Sequence, residues 1–127
     1  MEKAIAIASE KTGAVVSDYT AAPVYFSDSS NGAHEWLIEF DKEASDLGLF
    51  TKELDAALKI INSDYEAKRY KDIALRSPIV NVVKKGTFIE WLRNKGKLGG
   101  QHKVPRLSND RLYIEDILAI TNSESKI

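Results

Sequence analysis

The sequence predicts an α+β domain in which a small mixed β-sheet is flanked by helices. Three observations predict it. Leu47, Phe50, Leu54, Leu58 and Ile61 recur every third or fourth position, the period of an amphipathic helix. Two apolar stretches flank the polar cluster 27–32, which ends in Asn31-Gly32, a dipeptide that favours a tight hairpin turn. A third run, Ile79-Val80-Asn81-Val82-Val83, is β-branched and sits between helical segments. Strands with helices gathered around them bury their apolar faces in packed layers.

Taken in order, residues 2–12 read as a short helix, with Gly13 as a cap able to take a positive φ. Residues 14–20 read as a strand. Ala21-Ala22-Pro23 is expected to interrupt it before the short apolar run Val24-Tyr25-Phe26. Residues 33–40 return as its partner. Alternation sets His34, Trp36, Ile38 and Phe40 on a core face and Ala33, Glu35, Leu37 and Glu39 on the other. That second face is mixed and is expected to meet solvent or another domain. His34 therefore points to the apolar side and Glu35 away from it, so His34 reads as structural rather than catalytic.

In the helix 47–61, Asp55 falls off the apolar stripe and can pair with Lys59 four residues on. Ser63-Asp64-Tyr65-Glu66 has the form of a capping box. It opens a helix expected to run to Leu75, with Tyr65, Arg69 and Ile73 on one face. The strand 79–83 is apolar enough to read as central rather than edge. Lys84-Lys85-Gly86 turns the chain, and Thr87-Phe88-Ile89-Glu90 is a second capping box. The helix it opens reaches Asn94 and buries Phe88, Trp91 and Leu92; Trp91 reads as a core anchor. Gly96 ends this helix. Ser108-Asn109-Asp110 caps a last helix in which Leu112, Ile114, Ile117, Leu118 and Ile120 supply the apolar contacts. Residues 121–127 read as a fraying polar tail.

Composition bounds the function. The 127 residues make one domain, with no internal repeat or linker. With no cysteine, disulfides and thiolate chemistry are excluded, and two histidines support no histidine-rich zinc site. No apolar run approaches the roughly 20 residues of a membrane span, and the N-terminus has no signal-peptide pattern. These features fit a cytoplasmic protein with no membrane partner. The net charge of −1 hides a segregation. Acids dominate 28–55, whereas 84–106 holds Lys84, Lys85, Arg93, Lys95, Lys97, Lys103 and Arg106 against Glu90. Such a basic segment attracts anions. Aromatic residues are not interleaved with the bases, and the total is near neutral, so nucleic acid is not the expected partner.

The chemistry-bearing stretch is 95–110. Gly99 and Gly100 free the backbone for a sharp turn or a close approach to a ligand. Lys103 follows. Pro105 fixes its own φ and extends Val104, which stiffens the chain beyond the lysine. A cation between a hinge and a brace suits an ammonium that must reach an anion and later withdraw. A solvated surface loop is the other reading of the same residues.

Gly99-Gly100-Gln101-His102-Lys103-Val104-Pro105-Arg106 resembles the closing motif of the auxin-responsive (Gretchen Hagen type) acyl-acid amido synthetases, of the acyl-adenylating superfamily. The likeness covers almost the whole chain. It includes Gly13-Ala14-Val15-Val16-Ser17-Asp18-Tyr19-Thr20, Gly32-Ala33-His34-Glu35-Trp36-Leu37-Ile38-Glu39-Phe40, Leu54-Asp55, Asn62-Ser63-Asp64-Tyr65 and Gly86-Thr87-Phe88.

The resemblance implies that residues 1–127 are the small, mobile C-terminal lid domain of a several-fold longer enzyme. A large N-terminal adenylation domain would be its partner in cis. The implied reaction joins a carboxylic acid to ATP, with Mg²⁺, as an acyl-adenylate. An amino acid amine then attacks to give the amide and AMP. Lys103 would be the catalytic ammonium. Gln101, Arg106, Gly99 and Gly100 would bind phosphate or position the loop, and no residue here would ligate metal. The domain would be inactive alone, with no cofactor tightly bound. His102 stands where plant members carry tyrosine and Leu107 where they carry cysteine, so the motif is similar to a bacterial-type member. The alternative is a free-standing interaction or regulatory module of the same fold, without catalysis.

Overall fold

In the computed structural model, the structure describes residues 2–25, 32–72, 74–94 and 111–125. Helix α1 (Glu2–Thr12) leads into strand β1 (Val15–Tyr25), and β2 (Gly32–Lys42) returns antiparallel to it. Helices α2 (Leu47–Ile61) and α3 (Ser63–Arg69) follow, then a 3₁₀ turn at Tyr70–Asp72. Strand β3 (Ile79–Val83), α4 (Thr87–Asn94) and α5 (Leu112–Ser125) complete the described elements. The sheet order is β1-β2-β3, with β3 parallel to β2, so the sheet is mixed as expected.

Gly13 takes φ 72 after α1, and the Ala14 amide donates to the Ser9 carbonyl at 3.0 Å, which closes the helix end. Strand β1 is not interrupted at Ala21-Ala22-Pro23. It runs continuously, with Pro23 opposite His34. The reason is sheet order: among the described residues β1 is an edge strand, where a residue without an N–H is tolerated. Its irregularity lies earlier, with register shifts between Val15 and Asp18.

Strand β2 is central, and helices cover both of its faces. On one side Trp36, Ile38 and Phe40 pack with Ile5 and Ala8 of α1, Phe50, Leu54 and Leu58 of α2, and Tyr65 of α3. On the other side Leu37 packs with Val83, with Phe88 and Trp91 of α4, and with Ile114 and Ile117 of α5. Most of the mixed face is therefore covered by this chain's own helices: Leu37 is fully buried, Glu39 is buried but for 5%, and Glu35 is partly exposed. Burying one large apolar side chain contributes about 1.5–3 kcal/mol, so both layers matter to stability.

The structure corrects five further expectations. Asn62, not Ser63, caps α3; its side-chain oxygen accepts from the Asp64 and Tyr65 amides at 3.0 and 3.2 Å. Asn62 also closes α2 by donating its amide to Leu58, so a one-residue junction leaves no room for the later box. Helix α3 stops at Arg69 rather than reaching Leu75, and Lys71 adopts φ 51, a left-handed conformation that ends helical geometry. Strand β3 is an edge strand among the described residues, with Ile79 and Val82 partly exposed. A β-branched run fits a half-covered edge as readily as a centre. Helix α5 continues through Ser125 instead of fraying from Thr121, and Leu112 is 72% exposed rather than buried.

Candidate functional site

Lys103, Gln101, Arg106, Gly99 and Gly100, which sequence reasoning assigns to the chemistry, lie outside the described residues, as do Lys95, Lys97 and His102. What the structure defines is the frame at the two ends of segment 95–110.

The entry is α4. Its expected capping box is absent, because the Thr87 hydroxyl donates to the Lys84 carbonyl at 2.6 Å. The cap comes instead from β2: the Glu39 Oε1 accepts from the Phe88 amide at 3.1 Å, while Oε2 accepts from the Ser17 hydroxyl at 2.9 Å. A carboxylate there satisfies an orphan donor and opposes the positive end of the helix. Gly86, at φ 93, makes the turn into it. The exit is Arg111, immediately before α5. Its guanidinium donates to Glu35 Oε1 at 2.7 Å, to Glu115 Oε1 at 2.8 Å and to the Pro23 carbonyl at 3.1 Å. Asn81 donates to the other Glu35 oxygen at 2.7 Å. Burial alone would lower the Arg111 pKa, but the hydrogen bonds to Glu35 and Glu115 raise it. Trp91 and Tyr113 meet edge-on, with ring centroids 5.5 Å apart, joining the two ends.

A second network lies across the sheet. Asp55, expected on the polar side of α2, is buried. Its Oδ1 accepts from the Tyr65 hydroxyl at 2.6 Å and from Arg69 Nε at 2.8 Å, and its Oδ2 from Arg69 Nη2 at 2.8 Å. Lys59 lies 3.5 Å away. Burial pushes the Asp55 pKa up, but the bonds and charges of Arg69, Tyr65 and Lys59 outweigh it and hold the carboxyl below its ordinary range. Burial and Asp55 together push the Tyr65 hydroxyl upward. The other face of Tyr65 stacks on His34, with centroids 6.4 Å apart and planes 16° from parallel. His34 is half-buried, which lowers its pKa, and the Lys68 charge lowers it further. Among the described contacts no carboxylate orients it.

Sequence reasoning missed Glu39, Arg111 and the Asp55–Arg69 pair as anchors. Glu39 and Phe88 are 49 positions apart, Arg111 and Glu35 76. No local spacing signals such partners; only an acid inside an apolar strand hinted at a buried role. Among the described residues, no group of three His, Asp or Glu side chains could hold a metal ion.

Comparison with known proteins decides the family. The family model for the GH3 family C-terminal domain matches residues 1–112, which takes in Glu39, α4, the Gly99–Arg106 motif and Arg111, and stops at the first residue of α5. The chain belongs to the GH3 family. A search of curated protein sequences gives no match. Among solved structures, one titled GH3.15 acyl acid amido synthetase is similar over 96% of this GH3 chain, with a TM-score of 0.69 and 21% identity. Another, AtGH3.15 acyl acid amido synthetase in complex with 2,4-DB, is similar over 93%, with a TM-score of 0.69 and 20% identity. At these identities the likeness shows the fold: the mixed sheet with flanking helices is that of a GH3 C-terminal domain. This chain spans 22% of each of those chains.

Proposed function

We propose that this GH3 domain is the lid of an ATP-dependent acyl-acid amido synthetase, completing the site of a large N-terminal domain. The observation that carries the proposal is the family match over residues 1–112, which includes Lys103 within its motif. On this reading the lid delivers the Lys103 ammonium to the place where a carboxylate attacks the α-phosphate of ATP. Negative charge redistributes there, and a fixed cation in a water-poor site stabilises it. Holding two anions together also removes a repulsion that would keep them apart. Lysine suits the task because its charge is compact and its stem long. Gln101, Arg106, Gly99 and Gly100 shape the loop or touch phosphate.

Glu39 caps the start of α4 and Arg111 ties the residue before α5 to β2, so the described elements on either side of segment 95–110 are both anchored on the central strand. ATP, Mg²⁺, the carboxylic acid and the amino acid would bind mainly on the larger domain, in the cytoplasm. The domain alone is expected to be inactive.

The test is pyrophosphate release by the domain joined to a large GH3 domain. Lys103→Ala should lower the adenylation rate about a hundredfold or more, as loss of a charge-stabilising group does. A change within about twofold would remove the role from Lys103.

A further inference from the structure

A cavity of about 270 Å³ opens between the end of the β1–β2 hairpin and α3. His34 and Lys68 reach it from β2 and α3, and among the described residues no aspartate or glutamate lines it. Pro23, Leu75 and the Tyr25 ring give it apolar walls. Gly32 shapes the floor: a Cβ there would stand 2.5 Å from the Val24 carbonyl oxygen, so only glycine lets the two strands close up. His34 is held in orientation from behind by Tyr65, whose hydroxyl is fixed on Asp55, itself gripped by Arg69. One potential cation is thus preset and another is movable. Lys68 pairs with Asp64 at 3.1 Å, but both side chains are more than half exposed, and such a pair is worth little. Lys68 can exchange Asp64 for a better anion.

We propose that this cavity binds a small organic carboxylate, its charge between His34 and Lys68 and its apolar body against Pro23 and Leu75. Two donors match the two oxygens of a carboxylate; a phosphate dianion would need more. At about 30 Å³ per water-sized group, the volume holds about nine such groups, enough for one ring and its acid. Burial and Lys68 disfavour the charged imidazole in the free protein. A bound anion offsets the Lys68 repulsion, so binding draws one proton from solvent onto His34 and is tighter at lower pH. Among the described residues, the groups facing the imidazole are Tyr65 and Lys68 of α3, with Asp55 and Arg69 behind the tyrosine. This site does not depend on the lid reading.

The experiment is proton NMR of the whole 127-residue chain, with the His34 ring resonance assigned by its loss in His34→Gln. Benzoate is added at constant ionic strength, with acetate, inorganic phosphate and chloride as comparisons. Benzoate should move the resonance saturably and raise the His34 midpoint by about one pH unit. Acetate should bind at least about tenfold more weakly, because it buries less apolar surface. Lys68→Met, at an exposed position, should weaken benzoate about fivefold or more. No saturable change by about 20 mM benzoate overturns the proposal. So does an equal response to phosphate, acetate or chloride, or a Lys68→Met protein that binds as before.

Discussion

Asp55 shows how much one buried side chain can hold. It accepts from Tyr65 and, through both oxygens, from Arg69, so three parts of the α2–α3 layer meet on one carboxylate. Removing one partner strands the other charge, which typically costs about 3–5 kcal/mol. Arg69→Ala should lose about that much in urea unfolding, and more than Lys59→Ala, whose ammonium is 3.5 Å away and partly exposed. The pH dependence has a definite sign. The folded pKa of Asp55 lies below its unfolded value of about 3.9. Its contribution is therefore full above that value and disappears as pH falls through the folded pKa. Asp55→Asn should be less stable at pH 7, and its stability should fall less steeply between about pH 4 and pH 2 than that of the wild type.

At the scale of elements, the helix ends separate local from distant control. The α1 end was legible, because Gly13 supplies a positive φ wherever the chain goes next. The starts of α3 and α4 were not. Each has a capping-box pattern, yet Asn62 caps one and Glu39 the other. A local box forms only where no better acceptor is closer, and the sequence does not show that β2 passes beneath α4. Glu39→Ala should cost about 1–2 kcal/mol in urea unfolding, the range for losing a helix cap. Near-ultraviolet circular dichroism of Trp91, one turn further along α4, should change with it. Thr87→Ala should cost less, because its hydroxyl donates to Lys84 and does not cap.

At the scale of the molecule, the described residues form two cores, one on each face of a three-stranded sheet. The layer of α4 and α5 brackets the motif-bearing segment, and the opposite layer carries the Asp55 network. Ile117→Ala removes a fully buried side chain from the first of these cores, at a cost of about 2–5 kcal/mol. Hydrogen exchange in that variant should speed up in α4 and α5 more than in α2, because α2 packs on the far side of β2. Uniform acceleration in every helix would show instead that the two layers open as one unit.

By itself, the sequence determined the kinds of element, the hairpin pairing of the first two strands, the burial of Trp36, Ile38 and Phe40 on one face of β2 and the resemblance that the family match bears out. Those properties follow from backbone sterics, apolar period and ordered motifs, all written within short windows. Only the tertiary structure decided that β3 lies at an edge, that the face carrying Leu37 and Glu39 is roofed by α4 and α5, and that Asp55 is buried. Each depends on which segments meet across the sheet. A polar side chain is stable inside when a distant partner satisfies it, and no local pattern records where that partner will stand.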